Sequence, residues 1–253
     1  MKKYGLAIAA VVVIALFFIF FQYPLSQKTL KNVDMLSNDN GDGVAAEAVY
    51  YYNDAEGYLA KPKTGGPYPG IVMIHEWWGL NDNIKTMARE LAQEGYAVLA
   101  VDLFGSVATT QEQARIQVSS LNQDTAVANL RAASTYLREK EQVQKVASLG
   151  WCFGGGQSLQ LAMSGEPLAA TVIYYGNLST STVALSNIQW PVLGIFGETD
   201  ASIPTTTVAA FDAALDEVGV ENEIHIYPGV GHAFANPSGA NYAPEETQDA
   251  WNK

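Results

Sequence analysis

The stretch SLGWCFGGGQS, Ser148–Ser158, holds the only cysteine of the chain, between a strand-like run and a cluster of glycines. Gly150-Trp151-Cys152-Phe153-Gly154 has the G-x-[nucleophile]-x-G spacing of a nucleophile elbow, with Cys where Ser is commoner. At such an elbow the chain turns sharply from strand to helix and holds the nucleophile in a strained backbone conformation. Glycines two residues before and after it remove Cβ atoms that would clash with the strand and the helix. The helix that follows aims free N–H groups at the sulfur, which favours thiolate. The competing reading is a buried cysteine acting as a small hydrophobe.

Working outward from Cys152, the hydrophobic pattern alternates between short apolar runs and amphipathic segments. VYYYNDAEGYLAKP reads as a hairpin with Asn53–Gly57 as its turn. The run Ile71–Ile74, then YAVLAVDLFG, VQKVASLG, AATVIYYG, PVLGIFGETD and NEIHIYPG read as six further strands, the first two typical of strands buried on both faces. NDNIKTMARELAQEG, closed by Gly95, QDTAVANLRAASTYLREK and TTTVAAFDAALDEVG read as helices. This alternation predicts an α/β fold, a mostly parallel sheet with helices on both faces. Ligands of open parallel sheets bind beyond the carboxyl ends of the strands. Glu76, Cys152, Asp200 and His232 each follow a predicted strand and are expected to meet at that edge.

The order nucleophile, acid, histidine is the one expected of an α/β-hydrolase. His232 lies in the glycine-flanked loop GVGHAFAN, which suits a base that must reach across the site; the alternative is a loop histidine bound to backbone. Asp200, in GETDASIP, is the acid expected to orient it, with Glu198 as competitor. His225 alternates within EIHIY and reads as an exposed strand residue, and His75, turned away by alternation from Glu76, reads as structural.

The 253 residues are 48% hydrophobic, enough for one sizeable core. A formal net charge of -12 disfavours nucleic acid as a partner. One Cys rules out an intrachain disulfide framework, and with three His it leaves little for a zinc site, so neither metal nor cofactor is expected. The N-terminus adds a separate feature: MKK carries two positive charges, and Tyr4 to Gln27 carries none. As a helix at about 1.5 Å per residue, that stretch spans a hydrocarbon core of about 30 Å. Residues 1–27 are expected to be a transmembrane anchor or a cleaved signal peptide, the alternative being a hydrophobic core helix. Residues 28–43 then form a polar linker and 44–253 the folded domain. With Lys2 and Lys3 inside, the domain lies outside the cytoplasm, held at the membrane or secreted if the segment is cleaved.

HEWWGLND, GWCFGGG, GETDASIP and GHAFAN, in this order, resemble the dienelactone hydrolase family from about Val44 to the C-terminus. The resemblance implies an α/β-hydrolase with a Cys-His-Asp triad falling on Cys152, His232 and Asp200. It places on Glu76 a glutamate that contacts the nucleophile and controls its ionisation. It puts the oxyanion hole on the backbone N–H groups of Trp77 and Phe153. Trp77, Trp78, Tyr174 and Tyr175 are expected to line the pocket, core packing being the alternative for each. Two departures stand out. Dienelactone hydrolases proper bind a substrate carboxylate with arginines, one of them four residues after the histidine, where this chain has Asn236; Arg115 lies near the other family position without a secure alignment. The chain also ends at DAWNK, where the family's last helix continues, so that helix is expected to be short or the sequence truncated.

A thiol nucleophile restricts the substrate. A thiol has a pKa of about 8.5, whereas an ordinary alkoxide derives from an acid nearer to water at about 15.7, so the thiolate leaves a tetrahedral intermediate first. Activated esters, enol lactones and thioesters are therefore the expected substrates, turned over by a monomer. A non-catalytic, membrane-held binding protein on a hydrolase fold is the competing class.

Overall fold

The structure, a computed structural model, describes residues 41–253. The expected membrane segment and most of the linker lie outside the described residues. Among the described residues no helix is long and apolar enough to cross a membrane.

The elements in chain order are β1 (Val44–Tyr52), β2 (Ala55–Pro62), β3 (Gly70–Ile74), α1 (Asp82–Gln93), β4 (Ala97–Ala100), α2 (Gln111–Ser120), α3 (Gln123–Lys140), β5 (Val146–Trp151), α4 (Phe153–Met163), β6 (Ala170–Tyr174), α5 (Thr182–Leu185), β7 (Val192–Gly197), α6 (Thr205–Glu217), β8 (Asn222–Tyr227) and α7 (Pro244–Trp251). The strands form one sheet in the order β1-β2-β4-β3-β5-β6-β7-β8. The β1–β2 and β2–β4 pairs are antiparallel, and every later pair is parallel. This is the α/β architecture expected from the alternation of strand and helix, a mostly parallel sheet with helices on both faces.

β3 shows why the sheet is covered on both sides. All five of its residues are buried. Ile71 and Met73 join a core with Met87 of α1 and Ala250 of α7, whereas Val72 and Ile74 join one with Leu130 and Leu137 of α3. Alternate residues of one strand thus feed two cores on opposite faces. A third core, with Ile173, Phe196, Val208 and Phe211, lies under α4 and α6.

The hairpin differs from its expected form. Its turn is Asn53-Asp54 alone, with Asn53 at φ 45°, a left-handed conformation that Asn tolerates. Gly57 belongs to β2 rather than the turn. A Cβ there would lie 2.9 Å from Ala100 O and from a Leu99 methyl, so its glycine marks the close approach of β2 to β4. Helices α2 and α5 are not among the expected elements, and α7 is the short last helix at DAWNK. α7 is marked by Pro244 in its first turn.

The helix after the cysteine is seated by backbone contact. A Cβ on Gly150 would lie 2.1 Å from Gly154 O, and one on Gly154 would lie 2.3 Å from Ile74 O. Neither neighbour can yield, because both are backbone atoms within packed elements. Gly154→Ala is therefore expected to cost at least about 3 kcal/mol in urea unfolding or to abolish soluble expression, at or above the top of the usual 0.5–3 kcal/mol of a point substitution; wild-type stability would contradict the packing described.

Candidate active site

Cys152 stands between the last residue of β5 and the first of α4. Its backbone is left-handed, φ 53° and ψ −117°, a strained conformation for a residue with a Cβ. Cys152 N–H donates to Tyr174 O at 2.9 Å, and its carbonyl accepts from Gly156 N–H at 3.2 Å. The turn is thus fixed on one side by β6 and on the other by the first turn of α4.

Three loops bring polar side chains to the sulfur. His232, in the loop between β8 and α7, places Nε2 3.1 Å from Cys152 Sγ. Its Nδ1 lies 2.7 Å from Asp200 Oδ2. The other Asp200 oxygen accepts the backbone N–H groups of Ser202 at 2.7 Å and Ile203 at 3.1 Å, so the turn after β7 fixes the carboxylate before the histidine meets it. Asn241 donates to His232 O at 2.9 Å and holds the histidine's own loop. Glu198, the competing acid, turns away and accepts Gly229 N–H at 2.8 Å.

Glu76, in the loop after β3, is the fourth member. It is buried and accepts from Asn236 Nδ2 at 2.5 Å. Burial pushes its carboxyl up to about 7, a rise that the Asn236 hydrogen bond only partly offsets. Cys152 is pushed up to about 12, by burial first and then by the negative charge of Glu76; the Phe153 N–H opposes this and Asp200 adds to it. The expected thiolate is therefore not the resting form. The amide at the start of α4 does act on the sulfur, but desolvation and a neighbouring carboxylate outweigh it.

The remaining expected residues divide into those at the site and those in the scaffold. Trp77 and Trp78 are half-buried and pack edge to face at 5.0 Å between ring centroids. The Trp77 N–H has no hydrogen-bond partner among the described residues. Tyr174, expected in the pocket, is committed elsewhere: its ring packs on Trp151 and its hydroxyl donates to Ala250 O at 2.9 Å. Tyr175 reaches the site but is fully buried, its ring edge-on to His232 at 5.3 Å, so it backs the histidine instead of lining open space. Asn236, first read as a missing arginine, is the residue that holds Glu76. Arg115 is an exposed residue of α2, with Glu112 as its nearest ionic partner at 4.0 Å. His225 is half-buried on the edge strand β8, 2.7 Å from Glu223.

His75 has the structural place its alternation implied. Its Nε2 accepts Leu103 N–H at 3.2 Å, so its proton lies on Nδ1, which donates to Glu76 O at 2.6 Å. Full burial pushes its pKa down, and it stays neutral between Phe104 and Phe153. The histidine thereby fixes the backbone of Glu76, just before Trp77. Phe104 and the Glu76–Asn236 bond escaped the sequence reading, because each depends on loops that no local pattern registers.

A cavity of about 580 Å³ lies beside this cluster, lined by Asp200, His232, Asn241 and Tyr242 among others. A larger groove of about 930 Å³, over Ala147, Val172 and Leu193 on the sheet face beside α7, contains none of the four residues. Among the described residues no group of His, Cys, Asp and Glu could hold a metal ion.

The sequence of residues 55–253 matches the family model of the dienelactone hydrolase family. The chain belongs to the dienelactone hydrolase family. As a member of it, the protein is a hydrolase of ester or lactone bonds. It is 33% identical to Protein usf of Aquifex pyrophilus, over 78% of this chain and 89% of that one. It is 30% identical to a carboxymethylenebutenolidase-like protein of Saccharolobus solfataricus, over 81% of this chain and 95% of that one. Among solved structures, a dienelactone hydrolase-like promiscuous phosphotriesterase from metagenomic libraries superposes with a TM-score of 0.75 at 28% identity, over 83% of this chain and 95% of that one.

The buried carboxyl of this dienelactone hydrolase relative has a consequence for stability. Because the folded protein raises Glu76 from 4.5 to about 7, its burial costs nothing below about pH 4.5, where the group is neutral in both states. The cost grows as pH rises and is complete above about 7. At roughly 1.4 kcal/mol per pH unit it reaches up to about 3 kcal/mol. Glu76→Gln keeps an oxygen for Asn236 and removes the charge. Urea unfolding should find it more stable than wild type at pH 8 and similar at pH 4; equal differences at both values would contradict the assignment.

Proposed function

We propose that Cys152, His232 and Asp200 form the catalytic triad of a hydrolase that passes through an acyl-cysteine intermediate. The observation that carries this reading is the unbroken line from a left-handed Cys152 to His232 at 3.1 Å and on to Asp200 at 2.7 Å. The resting thiol gives its proton to His232 Nε2 as the sulfur attacks the substrate carbonyl, while Asp200 holds the imidazole in its orientation. The backbone N–H groups of Trp77 and Phe153 receive the oxyanion. His232 then returns the proton to the leaving group, and afterwards takes one from the water that cleaves the acyl-thioester. Glu76 controls the step that begins the cycle: its charge opposes a second negative charge on the sulfur, so thiolate forms only as the substrate supplies an electrophile.

A thiol pushed up to about 12 leaves less readily than an ordinary thiolate, yet still ahead of an alkoxide, whose acid lies nearer to water at about 15.7, so the restriction on leaving groups is loosened but kept. An acyl-cysteine accumulates only when the leaving group departs more readily than the thiolate. Enol lactones, aryl or enol esters and thioesters meet that condition, and simple alkyl esters do not. Cys152→Ala should lower the hydrolysis of a p-nitrophenyl ester by about 10³-fold or more with the thermal unfolding midpoint preserved. Turnover near the wild-type rate would remove the mechanism.

Asn236 supports a neutral substrate. It stands in for an arginine of the family and spends its amide on Glu76, so this position supplies no cation to a substrate carboxylate. A charge-assisted hydrogen bond is roughly twice as strong as a neutral one. A neutral activated ester or lactone is therefore expected to show a higher kcat/KM than its matched carboxylate, and Asn236→Arg should move the ratio toward the carboxylate. A tenfold preference of the wild type for the carboxylate, about 1.4 kcal/mol in transition-state binding, would refute the assignment.

A further inference from the structure

Tyr175 carries two features that packing alone does not require. Its backbone is left-handed, φ 37°, although it is not a glycine. Its side chain is fully buried, and its hydroxyl has no hydrogen-bond partner among the described residues. The Ala235 N–H is oriented toward the oxygen but falls short of hydrogen-bonding geometry. A phenylalanine would fill the same space, against His232 and Phe234, without burying a polar group. The chain therefore holds a strained residue with an idle hydroxyl in direct contact with the base of the site.

The ionisable groups around this hydroxyl indicate what it serves. Glu76 approaches from the loop after β3, Cys152 from the turn before α4, Tyr174 from β6 itself and His232 from the loop before α7, with Asp200 behind His232. Burial, then the charges of Glu76 and of Cys152, push the phenol well above its ordinary pKa. It keeps its proton and offers a donor. Glu76 lacks a donor: Asn236 binds one of its carboxylate oxygens, and no other hydrogen bond to its side chain occurs among the described residues. The tyrosine ring packs on Phe234 at 5.7 Å, two residues before Asn236, so the loop that holds Glu76 also runs past the tyrosine.

We propose that Tyr175 is a positioning residue whose O–H is reserved for the second oxygen of Glu76, so that Asn236 and Tyr175 together hold this carboxylate when it is charged. No proton is transferred: the phenol donates a hydrogen bond and keeps its hydrogen. The proposal rests on the reading of Glu76 as the group that controls Cys152, and it adds the residue that sets how readily Glu76 carries its charge.

The test reads Glu76 directly. In full-length protein labelled with ¹³C at the Glu side-chain carboxyl, the Glu76 resonance is assigned by its loss in Glu76→Gln, and its midpoint is followed with pH. Tyr175→Phe, which keeps the ring contacts, should raise that midpoint by about one pH unit, because a donor to the charged form is gone. Site-specific 3-fluorotyrosine at 175, a stronger donor, should lower it. At pH 5, where Glu76 is uncharged, the Tm of Tyr175→Phe should equal or exceed that of the wild type, since no hydrogen bond of the phenol is lost there. A midpoint unmoved by both replacements overturns the proposal, as does a lower Tm in Tyr175→Phe with the midpoint unmoved. If Tyr175→Phe fails to fold, the fluorotyrosine shift decides alone. The titration needs no turnover, so failure of the triad reading in Cys152→Ala is distinguishable from failure here.

Discussion

The contact of α4 with the end of β3, backbone against backbone, is the constraint on which the site depends. Gly154 sits where a Cβ would lie 2.3 Å from Ile74 O and 2.5 Å from His75 O. That approach brings the first amides of α4 beside the loop carrying Glu76 and Trp77. It also forces the chain at Cys152 through a left-handed turn, since a strand running into a helix this close to its neighbour has no relaxed path. The strain at Cys152, the aim of Phe153 N–H at the sulfur and the nearness of Glu76 all follow from that seating.

Within the space so defined, two acids share a volume that tolerates one charge. Glu76 and Cys152 are both desolvated, and each ionises at the expense of the other. Asp200 is held differently: two backbone N–H groups and His232 surround it. The carboxylates of the site are thereby given different tasks by their surroundings rather than by their chemistry: one accepts three hydrogen bonds and orients a base, whereas the other has one donor and bears on the nucleophile.

Several residues that look functional in a list serve the frame instead. His75 fixes the backbone of Glu76 through its Nδ1 proton and has no open path to solvent. Tyr174 joins β6 to α7 through Ala250, and Tyr227 joins β8 to α7 through Asp249 at 2.7 Å. These bonds tie the C-terminal helix to the sheet below the loop of His232, so the position of the base is set partly from outside the site.

The sequence by itself determined the architecture and the membership of the cluster. Strand–helix alternation, the glycines at 150 and 154, and polar residues just after predicted strands are local or periodic signals, and they were enough to place Cys152, Asp200, His232 and Glu76 at one edge of a parallel sheet. Alternation likewise told His75 from Glu76, because successive residues of a strand face opposite sides. Tertiary structure decided the electrostatics and the fine contacts. An exposed helix N-terminus would favour thiolate, and only the burial of Cys152 beside Glu76 reverses this. Gly57 reads locally as a turn residue, and only the approach of β4 shows why it stands in a strand. Asn236 reads as an absence until Glu76, 160 residues away in sequence, is found against its amide. Desolvation and contacts between distant loops depend on the whole packed chain, which no short window of residues contains.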